Sequence, residues 1–176
     1  MIGLLLLAAC GSDPNVVVVG LQSDNPVVRE DMVLVARGVV EPAVTQALIG
    51  VLDDSSSTVR LRAVESLSAH EDTDAVPGLI QRLTDEDAEV RSAAIDALGV
   101  LADGRAVGPL LALLENRQPG DYPLNAIWAL GNIGDPQAIP LLSRLREHPN
   151  PYVVFNAESA LRKLPASVSA GPSTTP

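Results

Sequence analysis

The chain has 176 residues, 47% of them hydrophobic, a single cysteine and a formal net charge of −10. One cysteine excludes an intramolecular disulfide and any cysteine-cluster metal site, and the acidic balance excludes nucleic acid as an expected partner, because neutralisation of phosphates by Lys and Arg dominates that affinity. With one Trp, two Tyr and one Phe, the core must be aliphatic, which suits closely packed helices.

In chain order, Met1–Ala9 is apolar and uncharged. It is too short to span a bilayer, which needs about 20 apolar residues. Leu7-Ala8-Ala9-Cys10, followed by Gly11-Ser12, resembles a bacterial lipoprotein signal box, in which small residues precede a cysteine that is lipidated. No Lys or Arg precedes Cys10, as the basic leading region of a signal would require. The alternative is a capping helix that packs on the next one. The expectation is lipidation at Cys10, with 1–12 a signal, anchor or capping segment.

Asp13-Pro14 reads as an N-cap and first helical residue, opening a short helix over Val16–Leu21 that Ser23–Pro26 ends. From Pro26 two kinds of segment alternate. First-helix segments begin at Pro26, Ser57, Ala88, Asp121 and Tyr152; second-helix segments begin at Pro42, Asp74, Arg105 and Asp135. Val28-Arg29, Val59-Arg60 and Val90-Arg91 recur every 31 residues, and Leu67, Leu98, Leu130 and Leu161 follow at spacings of 31, 32 and 31. Apolar residues within each segment fall at helical spacing, as in Val90, Ala94, Ile95, Leu98 and Leu101. Ala63, Ala94, Ala126 and Ala157 share one register position, where a small residue lets helices approach. In Ala129–Leu145, the clearest unit, a helix is expected to end on Gly131 and Gly134 before Asp135-Pro136 starts the next. A helical period of this length predicts an all-α fold: an α-solenoid, a superhelix of stacked antiparallel helix pairs. The predicted repeat domain covers 13–164, and 165–176, rich in Pro, Ser and Thr, reads as a flexible tail.

ALGNIGDPQAIPLL and EVRSAAIDALGVLADGRAVGPLLALL resemble HEAT-like repeats of the short type known from phycobilisome lyases. The likeness runs from about Asn15 to Leu164. It departs in the fourth copy, where Pro123 and Leu124 stand near the expected Val-Arg pair. The resemblance implies a solenoid that presents a surface to a protein. It also brings two enzyme readings: a bilin-lyase-type chaperone, which holds a tetrapyrrole and a phycobiliprotein, and a metal-dependent hydroxylase, which carries iron on repeated His-Glu pairs. His70-Glu71 is a single such pair, at a helix end, and His148 lacks a neighbouring Glu, so no metal site is expected; His70 reads instead as a partner of its own helix's dipole. A lipoprotein signal would place the chain in the wrong compartment for a bilin lyase.

Arg29, Arg60 and Arg91 form a ladder with Asp24, Asp54 and Glu86 a few residues earlier, and are expected to tie adjacent repeats together. Trp128 takes the register position of Glu65, Asp96 and Ser159, so it should face outward as an interface anchor or fold back over the loop holding Tyr122 and Pro123. The second-helix face, with Gln46, Gln81, Arg82, Glu115 and Arg144, is the other candidate surface. No Ser-His-Asp or Cys-His constellation and no glycine-rich phosphate loop is present. The resulting expectation is a non-enzymatic, protein-binding HEAT-like scaffold without cofactor or catalytic residues. Its partner-binding residues are Trp128, Tyr122, Gln81, Arg82 and Arg144. It touches the membrane only through an N-terminal lipid anchor in a bacterial envelope, the alternative location being cytoplasmic.

Overall fold

Four helices begin at a side-chain cap that the sequence offers. Asp13, Asn25, Asp87 and Asn150 accept hydrogen bonds from backbone N–H groups two residues on, and Pro14, Pro26 and Pro151 follow three of them as first helical residues. In the computed structural model, which describes residues 13–115 and 123–165, the result is ten helices: α1 (Pro14–Leu21), α2 (Pro26–Ala36), α3 (Pro42–Gly50), α4 (Ser57–His70), α5 (Val76–Arg82), α6 (Ala88–Leu101), α7 (Val107–Glu115), α8 (Leu124–Ile133), α9 (Ile139–Leu145) and α10 (Pro151–Lys163). No strand occurs among the described residues. Residues 1–12, with Cys10, residues 116–122, with Tyr122, and residues 166–176 lie outside them.

The even-numbered helices stack side by side as the first helices of successive repeats; α1, α3, α5, α7 and α9 are the second helices, packed beside them. The fold is an α-solenoid. Its core is aliphatic: Leu21, Leu48, Leu67, Leu79, Leu98, Leu110, Leu114, Ile127, Leu130 and Leu142 are fully buried, and among the described residues no aromatic ring joins them.

Two details differ from the sequence reading. The later second helices start two residues after the expected Asp74 and Arg105 and four after Asp135. A turn of 3₁₀-helix (Thr73–Ala75, Gly104–Ala106, Pro136–Ala138) comes first, capped by the side chains of Asp72, Asp103 and Asp135. Proline explains the delay in α5 and α9: Pro77 and Pro140 are tolerated only in the first turn, where a missing N–H breaks no helical bond. Gly131 is not a helix end. It lies buried inside α8, and only Gly134, at φ +74°, is the left-handed terminator.

Gly131 serves packing. A Cβ placed there would lie 2.7 Å from the Ala160 Cα and 2.8 Å from its Cβ on α10. At Gly99 on α6 a Cβ would lie 2.9 Å from the Cα and Cβ of Ala129 on α8. The expected alanine position is buried throughout, at Ala63, Ala94, Ala126 and Ala157, yet the tight approach between these first helices is made at Gly99 and Gly131. Gly131→Ala is therefore expected to destabilise the fold by a net of about 1–2 kcal/mol, overpacking outweighing the gain in helix propensity. A chemical-denaturation midpoint equal to or above that of the parent would show that α8 and α10 can part freely.

Candidate functional site

The arginine ladder is the most regular polar feature. Arg60, at the start of α4, donates from Nε to Asp85 Oδ2 (2.9 Å) and from Nη2 to Asp85 Oδ1 (2.8 Å). A further Nη2 bond reaches Glu86 at 3.2 Å, and Nη1 donates to the Asp54 carbonyl at 2.8 Å. Asp85 also accepts the Asp87 N–H at 2.9 Å, which shapes the entry to α6. One repeat earlier, Arg29 makes the same fork onto Asp54, its Nη1 donates to the Ser23 carbonyl, and Asp54 accepts the Ser56 N–H. Arg91 donates to the carbonyls of Asp85 and Glu86. Each arginine thus binds a carbonyl six residues back. For Arg29 and Arg60 the carboxylate partner lies 25 residues ahead, in the next repeat; neither Asp24 nor the Asp54 carboxylate fills that place.

These pairs shift the aspartates. Burial pushes the Asp85 carboxyl up, but the Arg60 hydrogen bonds, the Asp87 N–H and the charges of Arg60 and Arg82 outweigh it and hold the pKa below the ordinary 3.8. At Asp54 burial is likewise outweighed by Arg29 and the Ser56 N–H. Asp103 is lowered to about 2 by side-chain and backbone hydrogen bonds from Arg105. A carboxylate whose folded pKa is depressed stabilises the fold above its unfolded pKa, and that stability is lost as pH falls through the folded value. Unfolding free energy from this source is therefore expected to hold from pH 7 to about 5 and to fall below about pH 4. Asp54→Asn/Asp85→Asn should be less stable at pH 7 and show a shallower acid limb; an unchanged limb would dissociate the ladder from acid unfolding.

The expected partner-binding residues do not gather on one surface. Trp128 belongs to the first-helix layer and is 37% exposed. Its ring edge lies across Gly99, with Cζ3 2.5 Å from where a Cβ would sit there. Gln81 and Arg144 are exposed on the second-helix layer. Arg82 is committed elsewhere: it pairs with Asp53, donates to the Leu52 carbonyl at 3.0 Å and reaches Asp85 at 3.4 Å, so it ties α5 to the preceding repeat.

His70 does not serve its own helix. Its Nε2 lies 3.0 Å from the Ala36 carbonyl, at the end of α2, and its Nδ1 lies 3.1 Å from the Thr45 hydroxyl on α3. A carbonyl only accepts, so Nε2 carries the proton and Nδ1 accepts from Thr45. Both ring nitrogens are used in holding the first two repeats together. Among the described residues no group of three or more His, Cys, Asp or Glu is placed to hold a metal.

The open side of the second helices differs in character. On α3, α5, α7 and α9 most exposed residues are uncharged despite the chain's acidity, among them Gln46, Gly50, Pro77, Gln81, Gly108, Pro140 and Ser143; Glu115 and Arg144 are the charged ones. At its N-terminal end a groove of about 500 Å³ runs between α1 and α3, floored by Val18, Leu21, Ala43 and Ala47 and edged by the amides of Gln22 and Gln46. An apolar floor with a few polar groups is the usual form of a small-molecule site. Sequence reasoning named Gln46 but not the groove, because its apolar floor reads as core.

The HEAT-repeat family model matches residues 14–99 and 107–170, and the PBS lyase HEAT-like repeat model matches 90–116. The chain belongs to the HEAT-repeat family. Among curated proteins, this HEAT-repeat chain is 33% identical over 144 residues to the phycocyanobilin lyase subunit alpha of a Nostoc species, covering 72% of this chain and 52% of that protein. It is 42% identical over 65 residues to the bilin biosynthesis protein PecE of Mastigocladus laminosus, covering 36% of this chain and 24% of that protein. It thus spans about half, or less, of the length of these relatives. Among solved structures, the complex of CpcE and CpcF of phycocyanin lyase from Nostoc matches with a TM-score of 0.73 at 31% identity, over 86% of this chain and 65% of that one. A designed armadillo repeat protein in complex with the peptide (KR)4 matches with a TM-score of 0.63 at 23% identity, over 85% and 80%, which shows the fold alone.

The phycocyanobilin lyase subunit and the CpcE–CpcF complex of phycocyanin lyase overturn the expectation of a non-enzymatic scaffold with no enzyme activity, since both are named for a lyase. The physical reason for the error is that a solenoid can act by holding reactants in place, and such action needs no nucleophile–base motif to search for. A complex between two lyase proteins supports protein binding as the general mode. No described helix is long and apolar enough to cross a membrane.

Proposed function

We propose that this chain is the HEAT-repeat body of a bilin-lyase-type protein, which holds an open-chain tetrapyrrole on the open side of its second helices and presents it to a protein partner. The observation that carries this reading is the 31% identity to the CpcE–CpcF complex across 86% of the chain, well above the level at which armadillo proteins share only the fold. The groove between α1 and α3 suits such a ligand: its floor accepts flat conjugated rings, and the Gln22 and Gln46 amides supply donors for the polar edge. The chain's share of the work is binding and orientation, which convert an encounter between chromophore and acceptor into a reaction within one complex.

Titrating the purified chain into phycocyanobilin should give a saturable change in visible absorbance. Ala47→Arg, which puts a long charged side chain in the groove, should weaken binding at least tenfold while leaving the thermal melt unchanged. A spectrum that shows no saturation with folded protein overturns the reading. An envelope anchor at Cys10 would separate the chain from such a partner, so an intact mass showing Met1–Ala9 removed and Cys10 acylated also counts against it.

A further inference from the structure

Most glycines inside the helices have a packing reason. Gly20 lies against Met32, Gly78 against Leu52, Gly99 against Ala129 and Gly131 against Ala160, so a Cβ at any of them would collide. Gly50, the last residue of α3, has no such neighbour. Among the described residues, a Cβ placed there meets no heavy atom within 4 Å beyond its own stretch of helix. Its backbone is ordinary right-handed helix, with φ −62° and ψ −30°, which any residue adopts. The same register position holds Val19 on α1, Gln81 on α5 and Ala112 on α7, all of them exposed. Neither packing nor backbone geometry therefore asks for glycine at 50. Glycine in a helix is also less stable than alanine, because it loses more chain entropy on folding.

What sets Gly50 apart is its place. It lines the groove between α1 and α3 together with Ala43, Gln46 and Ala47, which lie at helical spacing on one face of α3. Along that face the wall steps down from the methyl groups of Ala43 and Ala47 to bare backbone at Gly50. The buried side chains of Leu21 and Val51 form apolar floor beside it, and Gln22 stands across the groove. Without a Cβ, a flat ring can lie against the last turn of α3. Each glutamine amide offers a carbonyl acceptor and an NH2 donor in one plane. An open-chain tetrapyrrole ends in lactam rings, whose adjacent N–H and C=O are the complementary pattern.

We propose that Gly50 is a specificity-determining position: it seats a terminal lactam ring of the tetrapyrrole on the bare backbone of α3, with the Gln22 and Gln46 amides at the ring's polar edge. This inference rests on the bilin-lyase-type function proposed above. It gives a use to a glycine that the fold itself does not need.

Phycocyanobilin titrated into the full chain and followed by visible absorbance tests it, with a thermal melt of every variant. Gly50→Ala should melt higher than the parent yet bind phycocyanobilin about tenfold more weakly, the effect of one extra carbon in a close-fitting apolar site. Gly50→Val should bind more weakly still. Gln22→Met/Gln46→Met, similar in size but unable to pair with a lactam, should lose affinity with a parent-like melt. Gly108→Ala is the control, since this equally uncrowded glycine lies on α7 outside the groove; its affinity should equal that of the parent. A Gly50→Ala chain that binds like the parent overturns the inference and leaves the proposed function standing. So does a lower melting temperature for Gly50→Ala, which would make the glycine structural, or full affinity in the double glutamine variant. A folded parent chain that shows no saturation overturns both.

Discussion

Asp85→Ala is expected to destabilise the chain by about 3 kcal/mol, near the low end for breaking a buried ion pair because the site lies in a turn close to water. The Arg60 and Asp85 side chains are 5% and 2% exposed, and the arginine keeps its charge at any accessible pH. Removing the carboxylate leaves a buried guanidinium with Glu86 and the carbonyls of Asp54 and Ser55 to satisfy it. It also frees the Asp87 N–H that Asp85 orders at the entry of α6. The coupling can be measured directly. Arg60→Met/Asp85→Leu should recover much of the loss, because a paired desolvation cost disappears with both charges. A double variant as unstable as Asp85→Ala would mean that the turn geometry, and not the stranded charge, carries the effect.

His70→Ala is expected to cost a similar amount, about 3 kcal/mol, through a cavity and two lost buried hydrogen bonds. The repeats contain their own control. Thr45 and His70 occupy the register positions of Val76 and Leu101, of Val107 and Ile133, and of Ile139 and Leu164. Those pairs are aliphatic, whereas the first repeat uses a hydroxyl and an imidazole in the same places. Thr45→Val/His70→Leu should therefore come within about 1 kcal/mol of the parent, since replacing both partners of a buried hydrogen bond by apolar groups is nearly neutral. The Ala36 carbonyl keeps the Val39 N–H as a partner in either case. Denaturant melts of the single and double variants distinguish the outcomes; a double variant no better than His70→Ala would show that the polar pair is needed for the packing itself.

The fold was legible because its core is a periodic list. Leu67, Leu98, Leu130 and Leu161 recur in phase with the alanines at 63, 94, 126 and 157, and a helical period of that length has few other solutions. The ladder was half legible. Arg29, Arg60 and Arg91 could be picked out by spacing, but their carboxylates were sought a few residues away, whereas Asp54 and Asp85 lie one repeat on. The clue was present: those aspartates also recur at 31 residues, and the series stops at Asn116, beside the irregular fourth repeat. Gly131 was misread as a terminator because glycine has two uses, and only packing against Ala160 tells them apart. The groove left no motif, since a ligand floor of Val, Leu and Ala has the composition of a core. The lyase-type repeat itself was legible, in EVRSAAIDALGVLADGRAVGPLLALL, which overlaps the stretch that the PBS lyase HEAT-like repeat model matches.

Bilin exchange with a phycobiliprotein tests the proposed function most directly. The full chain would be incubated with chromophore-bearing phycocyanin, with and without the second subunit of the related lyase complex, and the fractions separated by size and read by visible absorbance. Bilin that moves onto fractions containing the chain, or that leaves or joins phycocyanin faster in its presence, is the expected result. Phycocyanin whose spectrum and chromophore content are unaltered by stoichiometric folded chain under both conditions would contradict it.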